Sequence, residues 1–211
     1  MNLSGDRKLM EELGAIMLDP IKDGKLLSPP LKCSNLWKDK TAVIFAIRRP
    51  GCYLCREEGL ALTKLERSGK LKNCVLFGVI KEVEEGSNDL QGIQSFQKKY
   101  FPYPIYRDEL QQFYGTLGYG NWISLLPGNP LTLVTSVAKI AWRIYCKDID
   151  GSMYGPGDLI LGGVYIITPK RGVVFTYREN TGAELPTHDI VATLTLLREE
   201  EKKDSEDFTK Q

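Results

Sequence analysis

The stretch from Thr41 to Glu58, Thr-Ala-Val-Ile-Phe-Ala-Ile-Arg-Arg-Pro-Gly-Cys-Tyr-Leu-Cys-Arg-Glu-Glu, joins an apolar run to a closely spaced pair of cysteines. The run from Thr41 to Ile47 is rich in β-branched and aromatic residues, which predicts a strand buried on both faces. The following Arg-Arg-Pro-Gly indicates a turn, and leucines at helical spacing come next. Cys52 and Cys55 are therefore predicted to lie in the first turn of a helix.

Strand and helix patterns alternate along the rest of the chain. Buried-strand patterns cover Cys74 to Ile80 and Pro104 to Tyr106; helical patterns cover Asp89 to Tyr100, Glu109 to Leu117 after Asp108, and about His188 to Arg198. Two apolar runs, Gly163 to Thr168 and Gly172 to Tyr177, flank a turn signal and predict an antiparallel hairpin. This order predicts an α/β fold with a central mixed sheet flanked by helices.

Segments at both ends of the chain extend beyond this pattern. A capped helix from Asp6 to Leu13 and two short strands, Ala15 to Leu18 and Leu26 to Leu27, predict an N-terminal extension. The stretch Glu199 to Gln211 is almost entirely polar or charged, which predicts a disordered tail. We therefore predict a single domain over residues 1–198, which includes the N-terminal extension.

An insertion over about residues 119–158 also lies outside the minimal pattern. Within it, Pro130 to Tyr145 is amphipathic, with Ile140 and Ile144 on one helical face and Lys139 and Arg143 on the other. One interpretation is a lid or wall for a lipid-like substrate. The other is an extra helix docked on the core, which is the more common role of such a stripe.

Composition excludes several classes of partner. Lys plus Arg at 28 nearly balances Asp plus Glu at 27, so we expect no nucleic-acid binding. The stretch Trp122 to Trp142 is interrupted by prolines, a glycine and a lysine, which argues against a membrane span. Charged residues interrupt the first eighteen positions and argue against a signal peptide. We therefore expect a cytoplasmic protein.

The cysteine pattern points to redox chemistry. Five cysteines, mostly isolated, do not form a secreted disulfide framework. A structural zinc site normally needs two cysteine pairs or a pair of histidines, and His188 is the single histidine of the sequence. We expect no metal and no bound cofactor. Cys74 begins a predicted core strand and is interpreted as an inert buried thiol, whereas Cys33 and Cys146 have no partner in the sequence and are interpreted as bystanders.

Cys52 and Cys55 are predicted to be the catalytic pair. A thiol attacks as its thiolate, which unpaired amides and the dipole at a helix N-terminus stabilise. Arg48, Arg49 and Arg56 flank the pair and are predicted to lower a thiol pKa further. A Cys-x-x-Cys pair between a buried strand and a helix is typical of thioredoxin-like redox proteins. The alternative is two small buried hydrophobic residues, against which the flanking arginines argue.

Several stretches together resemble a known family. They are Asn35-Leu36-Trp37, the run from Ala42 to Glu58, Tyr106-Arg107-Asp108-Glu109, and Leu161-Gly162-Gly163-Val164-Tyr165. They are similar to the peroxiredoxin-like 2 family, the branch of the alkyl hydroperoxide reductase/thiol-specific antioxidant group that includes prostamide/prostaglandin F synthase. The resemblance runs from about Leu13 to Leu197. Its Arg-Arg-x-Gly-Cys-x-x-Cys core is the most specific part.

The resemblance implies a thioredoxin-like fold and reduction of peroxides or, in the synthase branch, of a prostaglandin endoperoxide. It implies electrons from an external, thioredoxin-like dithiol and ultimately from NADPH. Only Cys52 and Cys55 carry over as redox-active residues. The segment Ile123 to Asp158 is closer to the synthase branch, whereas Arg49-Pro50-Gly51 is closer to its sister branch, so the resemblance leaves the peroxide substrate open.

Two arguments disagree about which sulfur attacks. Peroxiredoxins have a Thr three residues before the attacking cysteine and a Glu three residues after it. In this chain the same spacing places Cys52 at the Thr position, Cys55 at the position of the attacking cysteine and Glu58 at the Glu position. It makes Cys55 the attacker, which is the narrow preference from sequence. Thioredoxins attack with the first cysteine of the pair, and the field at a helix terminus also favours Cys52.

The sequence thus favours a thiol-dependent oxidoreductase that reduces peroxide or endoperoxide bonds, as an antioxidant or as a prostaglandin F synthase-like enzyme. A thioredoxin-type protein disulfide reductase is one alternative. The loop Asp158 to Gly162, where thioredoxins carry a substrate-docking proline, contains none. A redox-sensing interaction module without enzymatic activity is the other alternative.

Overall fold

The computed structural model describes residues 4–81, 88–118, 130–151, 161–179 and 183–209. The helices in these ranges are α1 (Arg7–Ala15), α2 (Tyr53–Arg67), α3 (Asn88–Lys99), α4 (Gln112–Thr116), α5 (Pro130–Cys146) and α6 (Thr187–Thr209). The strands are β1 (Met17–Lys22), β2 (Lys25–Leu26), β3 (Leu31–Lys32), β4 (Ala42–Ile47), β5 (Val75–Ile80), β6 (Ile105–Arg107), β7 (Gly163–Thr168) and β8 (Gly172–Arg178).

The strands form one mixed sheet in the order β2-β1-β6-β5-β4-β7-β8, with β3 paired to β1. The centre, β4, β5 and β6, is parallel, because α2 and α3 carry the chain back between these strands. The β7–β8 hairpin closes one side antiparallel to β4. The predicted α/β fold with a central mixed sheet flanked by helices is confirmed, and so is the predicted hairpin.

Strand β4 is the centre of the core. All six of its side chains are buried. Because successive side chains of a strand point to opposite faces, Phe45 and Ile47 pack with α2, α3 and α6, whereas Ile44 and Ala46 pack with α1 and α4. The strand is therefore fixed from both sides, and its carboxyl end positions the turn that begins at Arg48.

Some boundaries differ from the sequence-based expectations. Helix α4 begins at Gln112 instead of Glu109, because Gln111 has a left-handed backbone (φ 55°) and the Asp108 carboxylate accepts a hydrogen bond from the Phe113 N–H (2.8 Å). Strand β1 continues through Pro20 to Lys22, and the Pro20 carbonyl accepts a hydrogen bond from the Leu27 N–H (2.8 Å).

The C-terminal segment needs a larger correction. Helix α6 does not end near Arg198 but continues to Thr209, so the predicted disordered tail from Glu199 is helical as far as Thr209. Two contacts anchor the helix where the predicted tail begins: Glu200 pairs with Arg171, and Arg198 donates hydrogen bonds to the carbonyls of Lys70 and Lys72 (both 2.8 Å). The division into residues 1–198 with an insertion at 119–158 stays a prediction, and residues 119–129 and 152–160 lie outside the described ranges.

Candidate active site

The two cysteines lie where β4 turns into α2. Cys52 is the N-cap of α2 with extended backbone (φ −77°, ψ 130°), and its carbonyl accepts the first helical hydrogen bond, from the Arg56 N–H (3.0 Å). Cys55 follows within the first turn. Unpaired amides and the positive end of the helix dipole are concentrated in this turn. The backbone thus gives both sulfurs the environment that stabilises a thiolate.

Both thiols are nevertheless shielded from solvent. Cys52 is 2% exposed and Cys55 0% exposed, and neither forms a disulfide. The expectation that Arg48 and Arg49 would prevent burial of the pair is wrong, because both arginines are themselves buried. Their charges are compensated by buried acidic groups, of which Glu179 is the nearest partner of Arg48.

Arg48 connects a sulfur to a carboxylate. Its Nη2 donates a hydrogen bond to the Cys52 Sγ (2.8 Å) and lies 3.4 Å from the Glu179 Oε1. The second carboxylate oxygen of Glu179 accepts a hydrogen bond from the Gly162 N–H (3.0 Å). A buried cation fixed in this way favours a negative charge on Cys52.

The two thiols also act on each other. A hydrogen bond from Cys55 lowers the pKa of Cys52 well below its ordinary value, and Arg48 lowers it further against the effect of burial. The same hydrogen bond, together with burial, raises the pKa of Cys55 well above its ordinary value. These contacts favour a negative charge on Cys52 and a proton on Cys55, whereas the sequence narrowly favours Cys55 as the attacker.

Sequence reasoning did not single out Glu179 as a site residue. It follows β8, far along the chain from Arg48, and its pairing depends on the sheet order that brings β7 and β8 next to β4. Burial raises the pKa of the Glu179 carboxyl, while Arg48 and Arg49 oppose that rise. A local motif could not have revealed this contact.

Glu58 is a second buried carboxyl at the site. It is 4% exposed, and burial, followed by the charges of Glu179 and Cys52, raises its pKa well above the ordinary value. Sequence offered a signal here, because Cys52, Cys55 and Glu58 recur every third residue and so lie along the same side of α2.

Arg56 contacts the turn before Cys52 and the end of the insertion. Its guanidinium donates hydrogen bonds to the Pro50 carbonyl (2.8 Å) and to Asp150 (2.6 Å), and lies over the Tyr100 ring (5.0 Å to the centroid). These contacts hold the turn before Cys52 against the end of the insertion. A role of Arg56 in tuning a thiol stays a prediction.

Helix α5 is attached to α2 by a buried ionic contact, which we call the latch: Glu57, Arg143 and Lys147. Arg143 donates two hydrogen bonds to the Glu57 carboxylate (3.1 and 2.9 Å), and Lys147 donates a third (2.6 Å). Glu57 is 6% exposed, so these cations are the compensation that allows its burial. The latch holds the inserted helix one turn beyond Tyr53.

A pocket of about 490 Å³ lies between α5 and the start of α2. Its wall includes Tyr53, directly after Cys52, and Ile140 and Ile144 of α5. Ile140 is buried in the main core, so α5 both packs on the core and forms a wall. Lys139 is exposed, as predicted for the polar face of this helix.

The remaining candidates lie away from this site. Cys33 is buried, Cys74 half-buried and Cys146 exposed. The side chain of His188 is 95% exposed. Among the described residues, no group of three His, Cys, Asp or Glu side chains is arranged to hold a metal ion. No helix within those ranges is long and apolar enough to cross a membrane.

Comparison with known sequences identifies relatives of the chain. It is 32% identical to peroxiredoxin-like 2A of Xenopus tropicalis over 154 residues, covering 70% of this chain and 60% of that protein. The chain thus spans about 60% of the length of these peroxiredoxin-like relatives. It is 28% identical to prostamide/prostaglandin F synthase of Aquarana catesbeiana over 191 residues, covering 88% and 87% of the two chains.

A solved structure and a family model agree with this relationship. AhpC of Enterococcus faecalis superposes with a TM-score of 0.55 at 14% identity, covering 94% of this chain and 93% of that one, which confirms the predicted thioredoxin-like fold. Residues 62–181 match the family model described as AhpC/TSA antioxidant enzyme. This match begins after the cysteine pair, so the role of Cys52 and Cys55 stays a prediction. The chain therefore belongs to the AhpC/TSA antioxidant enzyme family, and its predicted resemblance to the peroxiredoxin-like 2 branch is confirmed.

Proposed function

We propose that this chain is a thiol-dependent peroxidase in which Cys52 attacks the peroxide O–O bond and Cys55 resolves the product. The observation that carries the proposal is the 2.8 Å hydrogen bond from Arg48 to the Cys52 sulfur in the first turn of α2. A thiolate is the attacking form of cysteine, and Cys52 has two donors that stabilise it, Arg48 and the Cys55 thiol.

The reaction proceeds in two covalent steps. With a hydroperoxide, the Cys52 thiolate attacks the terminal oxygen, which breaks the O–O bond, leaves a sulfenic acid on Cys52 and releases an alkoxide that is protonated to the alcohol. Cys55 then attacks that sulfur, releases water and forms the Cys52–Cys55 disulfide. With an endoperoxide, the same attack leaves a sulfenate ester, and Cys55 releases the second hydroxyl group of the reduced substrate in place of water. An external, thioredoxin-like dithiol reduces the disulfide, with electrons ultimately from NADPH. This cycle suits the reducing cytoplasm, which is the location we propose.

The pocket beside Tyr53 supports an organic peroxide as substrate. Hydrogen peroxide needs no such volume, whereas a pocket of about 490 Å³ walled by Ile140 and Ile144 suits an apolar chain. The synthase relative is named for a prostaglandin product. We therefore propose a lipid hydroperoxide or lipid endoperoxide as the preferred oxidant.

A coupled assay tests this proposal. NADPH consumption with thioredoxin and thioredoxin reductase is compared for hydrogen peroxide, a lipid hydroperoxide, a prostaglandin endoperoxide and insulin. We expect turnover with peroxides, highest with those that carry chains, and its loss in Cys52→Ser. Cys146→Ser, which changes an exposed cysteine outside the site, serves as the control and should retain full activity. No turnover with any peroxide would refute the proposal.

The burial of Cys52 argues against a protein disulfide reductase. Such an enzyme must bring its attacking sulfur within bonding distance of a disulfide on another protein, and Cys52 is 2% exposed. The insulin arm of the assay tests this alternative directly. A redox-sensing module would form the disulfide without multiple turnovers, so a single equivalent of peroxide consumed in the presence of reductant would favour that reading.

A further inference from the structure

We propose that Glu58 holds the second proton that peroxide reduction consumes and loses it when Cys52 and Cys55 become a disulfide. A pocket between α2 and the start of α6 is its route to solvent. The identity of the oxidant rests on the proposed function, whereas the link between Glu58 and the disulfide does not.

The geometry around Glu58 is unusual for a carboxylate. The side chain is 4% exposed, and among the described residues its Oε2 has no hydrogen-bond partner. It lines a pocket of about 280 Å³ together with Lys64, Glu184 and Thr187. That volume admits several water molecules. An ionised, unpartnered carboxylate is costly to bury, whereas a protonated one is not.

The count of buried charges at the site indicates that Glu58 is protonated in the reduced state. Arg48 and Arg49 bring two buried positive charges, and the Cys52 thiolate and the Glu179 carboxylate bring two negative ones. Glu58 is the third acidic group of this cluster, so the reduced site is neutral when Glu58 is protonated. Disulfide formation removes the negative charge of Cys52, and ionisation of Glu58 then restores the balance.

The electrostatic environment points the same way. The negative charge of Cys52 is one of the causes that raise the pKa of Glu58, after burial and the charge of Glu179, so oxidation of Cys52 removes it. The titratable groups around Glu58 come from several elements. They are Cys52 at the N-cap of α2, Glu57 and Lys64 in α2, Arg48 after β4, Glu179 after β8, Lys147 after α5, and Glu184 before α6. Of these, the Cys52 charge changes directly with the redox state.

The reaction then balances without an external acid. Two thiol sulfurs supply two electrons, while Cys55 and Glu58 each supply one proton. With a hydroperoxide, attack by the Cys52 thiolate breaks the O–O bond, and the departing alkoxide becomes an alcohol at the expense of the proton that Glu58 gives up. Attack by Cys55 on the sulfenic acid forms the S–S bond, and the Cys55 proton leaves with the hydroxyl group as water. The products are the disulfide, an ionised Glu58, the alcohol and water.

The first experiment needs no peroxide, and its main comparison is between two redox states of the wild-type protein. Infrared difference spectra are recorded between reduced protein and protein oxidised in a dithiol/disulfide buffer. We expect the C=O band of a protonated carboxyl in the reduced state and its conversion to a carboxylate on oxidation. The band should disappear from the Glu58→Gln spectrum. A reduced-state spectrum without a protonated carboxyl would overturn the proposal.

The second experiment counts protons. The midpoint potential of the disulfide is measured against pH near neutrality in wild type and in Glu58→Gln, which keeps the shape and neutrality of a protonated Glu. We expect two protons per two electrons in wild type and one in the variant. Glu66→Gln, at an exposed position of the same helix, should behave as wild type. Equal proton numbers in Glu58→Gln and wild type would contradict the proposal.

Peroxide kinetics separate the two proposals. In Glu58→Gln the kcat/KM for peroxide should fall about 100-fold, the usual contribution of a positioned acid. The ratio of wild-type to Glu58→Gln kcat/KM should decrease as Glu58 ionises at high pH. If the infrared spectra and the proton number agree with the expectation while no peroxide is turned over, the proposed peroxidase function is wrong and the role of Glu58 is supported. If peroxide is turned over but Glu58 stays ionised, the reverse holds.

Discussion

At the scale of single residues, reactivity is decided by contacts that a local motif does not encode. The Cys-x-x-Cys spacing and its place at a helix start were readable from sequence, and the structure places both cysteines there. The order of their two pKa values could not be predicted from sequence. It depends on which thiol donates the hydrogen bond to the other and on the hydrogen bond from the Arg48 guanidinium. The spacing of the peroxiredoxin motif, which favours Cys55 as the attacker, contains no information about this difference in pKa.

The first prediction follows from that asymmetry. Cys55→Ser should still consume one equivalent of peroxide and accumulate a sulfenic acid at Cys52, because the attacking thiolate keeps Arg48 as its donor. Cys52→Ser should be inert, since the pKa of Cys55 lies above its ordinary value. Dimedone labelling followed by peptide mass spectrometry measures both. Labelling of Cys55 in the Cys52→Ser protein at the wild-type rate would restore the sequence-based assignment.

The second prediction concerns Arg48, which has two roles. Without its charge the pKa of Cys52 rises, so the fall in alkylation rate on acidification should begin at a higher pH in Arg48→Gln. The substitution also leaves Glu179 buried without its cation, which should cost about 3 kcal/mol of unfolding free energy.

A paired substitution separates these two roles. Arg48→Gln combined with Glu179→Gln should recover most of the lost stability, because no unpaired charge remains buried, yet should keep the raised pKa of Cys52. Arg67→Gln, exposed at the end of the same helix, is the control for both measurements. Denaturant unfolding gives the stability, and iodoacetamide kinetics give the pKa. A low Cys52 pKa retained in Arg48→Gln would show that Arg48 is purely structural.

At the scale of elements, helix existence was predictable while several ends were not. Helical spacing in the sequence predicted α2, α3 and α5, and the buried residues of α2 and α3 follow the helical period. The late start of α4 depends on the left-handed Gln111, and the long α6 depends on Arg171 and on carbonyls after α2. These are contacts between distant segments, which a local pattern does not contain.

The third prediction belongs to α5. Arg143→Gln with Lys147→Gln should release α5 from Glu57 and so displace the pocket wall formed by Ile140 and Ile144. We expect KM for a lipid hydroperoxide to rise about tenfold, equivalent to about 1.4 kcal/mol, with turnover of hydrogen peroxide nearly unchanged. Steady-state kinetics with the two oxidants measure the difference.

Lys139→Gln is the matched control for the latch, since Lys139 is an exposed cation of the same helix. It should leave both substrates unaffected. Equal losses with hydrogen peroxide and with lipid hydroperoxide in the double variant would mean that α5 supports the cysteines instead of selecting the substrate.

At the scale of the whole molecule, the sheet and the length of its strands separate Cys33 and Cys74 from the pair Cys52 and Cys55. Cys33 packs in the core on the α1 and α4 face, whereas Cys52 and Cys55 pack in the core on the opposite face. Cys74 precedes β5, which starts beside the start of β4, so it lies about one strand length, roughly 17 Å, from the turn that carries the pair. Disulfides require Cα atoms within about 7 Å.

The last prediction follows from this separation. After oxidation, Cys52 and Cys55 should form an intramolecular disulfide, because one helical turn brings their sulfurs into hydrogen-bond contact while the sheet and one strand length keep Cys33 and Cys74 away. Cys146 is exposed, so Cys146→Ser should abolish any covalent dimer that forms through this residue without changing the internal bridge. Peptide mass spectrometry of oxidised, unreduced protein identifies the linked pair. A dominant bridge from Cys52 or Cys55 to Cys33, Cys74 or Cys146 would contradict the two-cysteine mechanism.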